Sequence, residues 1–207
     1  LALGALVSGR YIDRSRSPLK IYFVLELFIG VFGLLFPLML ALVSSLYHQV
    51  HNYLEVSFFA HVLIRFFLAC LLLLAPTVAM GATLPALARF FVVSRERIGF
   101  DVGKLYGFNT LGAAVGCGLT GFVLMVEFGL ATTTRMAVGL NIAAALIALA
   151  LTRVVPAHAT ETPDDEAAEP EPPPPPLAPR LMLAVFFFSG FSGIAYELLW
   201  TRIVALF

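Results

Sequence analysis

Apolar residues dominate six stretches of the chain, at 1–9, 21–46, 61–80, 102–126, 131–151 and from 181 onward, and polar residues gather in the intervals between them. The four complete stretches each run to about 20 residues or more, the length of helix that crosses ~30 Å of hydrocarbon. Each is therefore expected to be a transmembrane helix, and the fold class is expected to be all-α, a polytopic transmembrane bundle. The first and last stretches are cut by the chain ends, so the sequence reads as a fragment of a larger bundle.

The polar intervals give an orientation. Arg10, Arg14, Arg16 and Lys20 face a single acid, Asp13, in the first; Arg89, Arg95, Arg97 and Lys104 face Glu96 and Asp101 in the third. Lys and Arg accumulate on the cytoplasmic side of membranes, so both loops are expected there. The interval at 47–60 and the short turn at 127–134 are poor in Lys and Arg and are expected to face outward. That alternation returns 153–180 to the cytoplasm. This last segment contains ETPDDEAAEPEPPPPPLAPR, acidic and then proline-rich, which cannot bury apolar surface and reads as a solvated linker.

Composition agrees with the pattern. Hydrophobic residues make up 60% of the 207, with 19 Phe, and only 13% are charged; mean hydropathy is +0.93. A soluble domain of this length could not also solubilise several such runs, so the lipid bilayer is the expected surrounding. The formal net charge of zero and the absence of a basic tract give no sign of nucleic acid. Cys70 and Cys117 lie in separate apolar runs, where they are expected to pack as small hydrophobes; no disulfide, metal site or cofactor is expected.

With one further helix before Leu1, six spans would precede the linker and a second set would begin at 181. That is the six-plus-six plan of major facilitator transporters, with 1–152 as first-half helices, 153–180 as the linker and 181–207 as the first helix of the second half. Gly9, Asp13 and Arg14 fit the G-x-x-x-D-R core of a loop in that superfamily, in which the glycine permits close helix approach. The same arginines read equally as positive-inside anchors. Along 102–126, Gly112 and Gly116 form a G-x-x-x-G step, as do Gly103 and Gly107, which lets another helix approach backbone to backbone. Close packing is the first reading; a smooth face for sliding helices is the second. Asn109 and Asn141 are expected to hydrogen-bond across helices or to touch a ligand. Glu26 and Arg65 lie about a turn inside their spans and are expected to snorkel to an interface. Pro76, Gly81 and Pro85 are expected to bend or interrupt their span.

The final stretch, FFFSGFSGIAYELLWTR, holds Glu197 and Arg202 inside an otherwise apolar helix. A charge at the bilayer centre costs roughly 2.5 to 3.5 kcal/mol, so such residues want partners, a cavity or the interface. Counted from Leu181, Glu197 would lie about 24 Å along its helix at ~1.5 Å per residue. It is the sequence's best candidate for a polar site in the membrane, with Tyr196 and Trp200 offering cation–π faces to a bound amine. An interhelical structural pair involving Glu197 and Arg202 is the alternative.

MGATLPALARFFV, VGKLYGFNTLGAAVGCGLTGFVL and SGFSGIAYELLWTRIVAL together resemble the membrane portion of the fused major facilitator and spermidine synthase family, over nearly all of the chain outside the linker. The resemblance implies a larger protein in which further C-terminal helices and a soluble aminopropyltransferase-like domain follow, with polyamine as a solute or substrate. No strand followed by a G-x-G turn occurs in this sequence, so no catalytic residues are expected within it. Three functions stay open on this reading: a membrane module that anchors such a domain and carries polyamine or a related solute, a secondary transporter with no enzyme attached, and a scaffold that transports nothing.

Overall fold

The structure, a computed structural model, describes residues 1–13, 15, 17–53, 58–91, 98–154 and 177–205. Among them there is no strand, and the chain is an all-α bundle. In chain order the helices are α1 (Ala2–Asp13), α2 (Pro18–Tyr53), α3 (Phe58–Phe91), α4 (Ile98–Leu119), α5 (Met125–Leu151) and α6 (Leu177–Ala205). A single π-helical turn, Thr120–Leu124, carries α4 into α5. Long, apolar segments capable of crossing a membrane cover Pro18–Ser45, Phe59–Phe91, Ile98–Leu151 and Pro179–Val204.

Each helix turns large apolar side chains outward. On α2, Val24, Leu27, Phe28, Val31, Leu34, Leu35, Leu38 and Leu42 are all exposed, while Tyr22, Glu26, Ile29, Phe32 and Phe36 are buried. In water that distribution would be inverted; next to lipid it is the favoured one, because the acyl chains are as apolar as Leu and the helix interface is left to small and polar groups. The chain is thus an integral membrane bundle in contact with lipid.

Long helices run through positions where the sequence suggested breaks. Pro76 and Pro85 both lie inside α3 without ending it, and Pro37 lies inside α2. Thr77 Oγ1 donates to the Leu73 carbonyl at 2.8 Å and Thr83 Oγ1 to the Met80 carbonyl at 2.7 Å, the kind of side-chain bond that helps satisfy backbone groups near a membrane proline. The one backbone break within the long apolar segment 98–151 is at Gly129, with φ 73° and ψ 171°. Only glycine populates that region readily. Thr133 Oγ1 then donates to the Gly129 carbonyl at 2.8 Å.

Glycines set the closest helix crossings. A Cβ on Gly112 would strike the Phe187 carbonyl, and one on Gly116 would meet the Phe191 carbonyl at 2.6 Å, so α4 and α6 run parallel with their backbones touching. Gly190 answers from the other side, facing the Asn109 carbonyl. On the opposite flank Gly4 abuts Val78 and Gly81 abuts Leu1, while Ile12 near the other end of α1 joins Ala86, Leu87 and Phe90 in one cluster, so α1 runs parallel to α3. Gly103 and Gly107 have open space where a Cβ would go, as does Gly9. The second G-x-x-x-G step and the glycine of the loop motif therefore make no close approach among the described residues.

The interior has two apolar clusters stacked along the bundle. One lies toward the end that carries the basic loops and includes Leu19, Leu87, Phe90, Leu105, Leu151, Met182 and Phe186. The other includes Ile29, Phe32, Phe36, Val138, Phe191, Leu199 and Trp200. A polar layer sits between them.

Candidate functional site

Glu26 is eight residues into α2, about 12 Å along it at ~1.5 Å per residue, and it is 0% exposed. The expectation that it snorkels to an interface is overturned. It lies on the face of α2 that also carries Tyr22, Gly30 and Gly33, and this face meets both α5 and α6. The side chain is too short to reach past its neighbours on that buried face, so it is satisfied from the adjoining helices instead.

Two neutral donors meet the carboxyl group. Asn141 of α5 donates from Nδ2 to Oε2 at 2.7 Å, and Ser189 of α6 donates from Oγ to Oε1 at 2.6 Å. One carboxyl thus ties three helices together. Small residues let them close on it: a Cβ on Gly30 would lie 3.3 Å from the Asn141 Cβ, while one on Gly33 would lie 2.6 Å from the Tyr196 ring. From Glu26–Ser189 to Gly33–Tyr196 the contacts keep the same offset, so α2 and α6 are parallel. Leu19 and Tyr22 near the start of α2 cluster with Ala144, Ala148 and Leu151, whereas Ile29, Phe32 and Phe36 further along it cluster with Ala137 and Val138, so α2 and α5 are antiparallel.

Two tyrosines flank the carboxyl along the bundle axis. Tyr22 is one turn away on α2 and Tyr196 two turns beyond Ser189 on α6; both are 0% exposed. Neither hydroxyl makes a hydrogen bond of normal length, and Asn141 Oδ1 is likewise without a partner. No Lys, Arg or His bonds or pairs with Glu26 among the described residues. Beyond Tyr196 an aromatic stack closes the layer. Trp200 lies over Tyr196 at 5.2 Å between ring centroids, over Phe36 at 5.1 Å and edge-on to Phe32 at 6.1 Å. Buried Trp200 Nε1 has no partner.

The residues singled out from sequence are distributed unevenly around this layer. Asn141 is at its centre, and Tyr196 and Trp200 line it. Glu197 and Arg202 point outward, both exposed, and make no pair with one another; one residue of helical rotation separates Glu197 from Tyr196, enough to place it on the outer face. Asn109 is half-buried in the α4–α6 crossing. Asp13 ends α1, and Arg14 lies outside the described residues, as does most of the linker. Cys70 and Cys117 are free thiols exposed on the outer surface. Among the described residues no cluster of three His, Cys, Asp or Glu could hold a metal ion.

Arg65 is exposed near the start of α3. Its guanidinium lies 4.9 Å from the centre of the Tyr47 ring, and Tyr47 Oη is 3.2 Å from His61 Nδ1, joining the far end of α2 to the start of α3.

Sequence reasoning did not single out Tyr22 or Ser189 as members of the layer, and it assigned Glu26 to an interface. A signal for Glu26 was present: it is the only acid within 21–46. Ser189 carried none, because serine is common in membrane helices and its partner is 163 residues away.

No protein-family model, curated protein or solved structure matches the chain.

Proposed function

We propose that this chain is the membrane module of a larger, major facilitator-like protein, that it takes a cationic amine at the layer centred on Glu26, and that it anchors an aminopropyltransferase-like domain. The observation that carries the amine site is the Glu26 carboxyl itself, buried between three helices, held by neutral donors and without a bound cation partner among the described residues. Ionisable groups at such depth mark ion and solute pathways. Tyr22 and Tyr196 add aromatic faces and hydroxyls suited to an ammonium group. The attached catalytic domain and the polyamine character of the solute rest on the resemblance of MGATLPALARFFV and SGFSGIAYELLWTRIVAL to the fused family. In this reading the membrane is a bacterial plasma membrane and the acidic, proline-rich linker is cytoplasmic.

The test has two arms. The intact reading frame, reconstituted in vesicles, should take up labelled spermidine, and Glu26→Gln should abolish uptake while Glu197→Gln leaves it within about twofold. The same protein should transfer an aminopropyl group from decarboxylated S-adenosylmethionine to putrescine, with activity lost on deleting the soluble part. Uptake that is unchanged in Glu26→Gln removes the amine site; a frame with no nucleotide-fold domain removes the anchoring role.

A further inference from the structure

The polar layer at Glu26 contains a mismatch of donors and acceptors. Asn141 Nδ2 and Ser189 Oγ supply two protons to the carboxyl. Yet Asn141 Oδ1, on the same amide, is a buried acceptor with no donor. A buried carbonyl left without a hydrogen bond costs about 1 to 3 kcal/mol, and a buried carboxylate without a counter-ion costs considerably more. One proton removes both costs. Placed on the carboxyl it cancels the charge, and it also makes Glu26 a donor next to the acceptor that lacks one, so that acid and amide can bond reciprocally.

Among the described residues the titratable groups that face Glu26 are Tyr22 from its own helix and Tyr196 from α6; the neighbour from α5 is the neutral Asn141. Neither tyrosine supplies a positive charge. Toward the basic-loop end the layer is closed by Met182, Leu183 and Phe186, and toward the other end by Phe32, Phe36 and Trp200. The carboxyl is therefore enclosed on both sides along the bundle axis.

We infer that Glu26 is a proton-binding site: the carboxyl is neutral when α2, α5 and α6 are closed on it as in this structure, and it releases its proton when water reaches it. This deepens the reading of the layer as the amine site, since a carboxylate freed of its proton is the form that receives an ammonium group. One proton leaves for each positive charge that enters, so the charge of the layer is conserved. Closure without the amine then requires a proton in its place.

Infrared spectroscopy of the purified chain in lipid nanodiscs at neutral pH tests this without any solute. The expected result is a carbonyl band of an un-ionised carboxylic acid, shifted by labelling glutamate with ¹³C at the carboxyl carbon and absent in Glu26→Gln. The glutamine substitution has the shape of the neutral acid, accepts one bond and donates to Asn141 Oδ1, so it should fold. If it does not, Ser189→Ala is the second variant: loss of that donor should move the band to higher frequency. Absence of the band in the unsubstituted protein, its persistence in Glu26→Gln, or an unmoved band in Ser189→Ala each overturns the inference. Failure of spermidine uptake with the band present would instead remove the amine reading and leave the proton site.

Discussion

Glu26 on α2 and Ser189 on α6 are hydrogen-bonded at 2.6 Å across 163 residues of chain. The acidic, proline-rich segment lies between them in sequence, and the bond crosses it. The helix that follows this segment is therefore part of the same bundle as those before it, with one face buried against them and another exposed. It packs between α4 and the α2–α5 pair.

Removing single members of the polar layer should have graded effects. Ser189→Ala deletes one donor and leaves the carboxyl with the other; a cross-helix hydrogen bond in a membrane averages about 0.6 kcal/mol, with values up to about 1.7. Glu26→Leu leaves both Asn141 Nδ2 and Ser189 Oγ without an acceptor and should cost more, about 1 to 3 kcal/mol. Reversible unfolding in mixed micelles should rank the two in that order.

The glycines of α4 should differ sharply by position. Gly112→Leu forces a side chain into the Phe187 carbonyl and should separate α4 from α6, at a cost of about 1 to 3 kcal/mol or loss of the folded form. Gly107→Leu projects into open space and should be tolerated. A cysteine pair bridging α4 and α6 would report the separation directly: cross-linking should fall in the first variant and persist in the second.

Trp200 and Glu197 are three positions apart and should respond oppositely to truncation. Trp200→Ala empties a buried site flanked by Tyr196, Phe36 and Phe32 and should cost about 3 to 5 kcal/mol. Glu197→Ala alters an exposed position and should stay within about 0.5 kcal/mol. Thermal unfolding followed by tryptophan-independent circular dichroism compares them on one scale; equal losses would place Glu197 inside a packed site after all.

Gly129→Ala should destabilise the protein by about 1 to 3 kcal/mol although it touches nothing. The substitution fills open space, but φ 73° with ψ 171° is a backbone conformation that a Cβ disfavours. Gly139→Ala, which also meets open space but carries no such φ, is the control and should be neutral or slightly stabilising.

The sequence by itself determined the class of this protein. Runs of apolar residues long enough to cross hydrocarbon have one stable backbone form, a helix, because no water is present to bond free N–H and C=O groups. Gly112 and Gly116 were legible as a close crossing for the same local reason: absence of a side chain is a property of the residue, wherever its partner lies. What only the tertiary structure decided is which polar groups meet. Glu197 drew attention as a charge in an apolar run, and Glu26 was assigned to an interface by its distance from Lys20. Yet rotation about the helix axis, set by the packing of Gly30 on Asn141 and Gly33 on Tyr196, turns Glu26 inward and Glu197 outward. Apolar residues cover nearly the whole circumference of these helices, so no amphipathic stripe in the sequence marks the inner face. Small residues and interhelical hydrogen bonds select it, and both depend on the neighbouring helix.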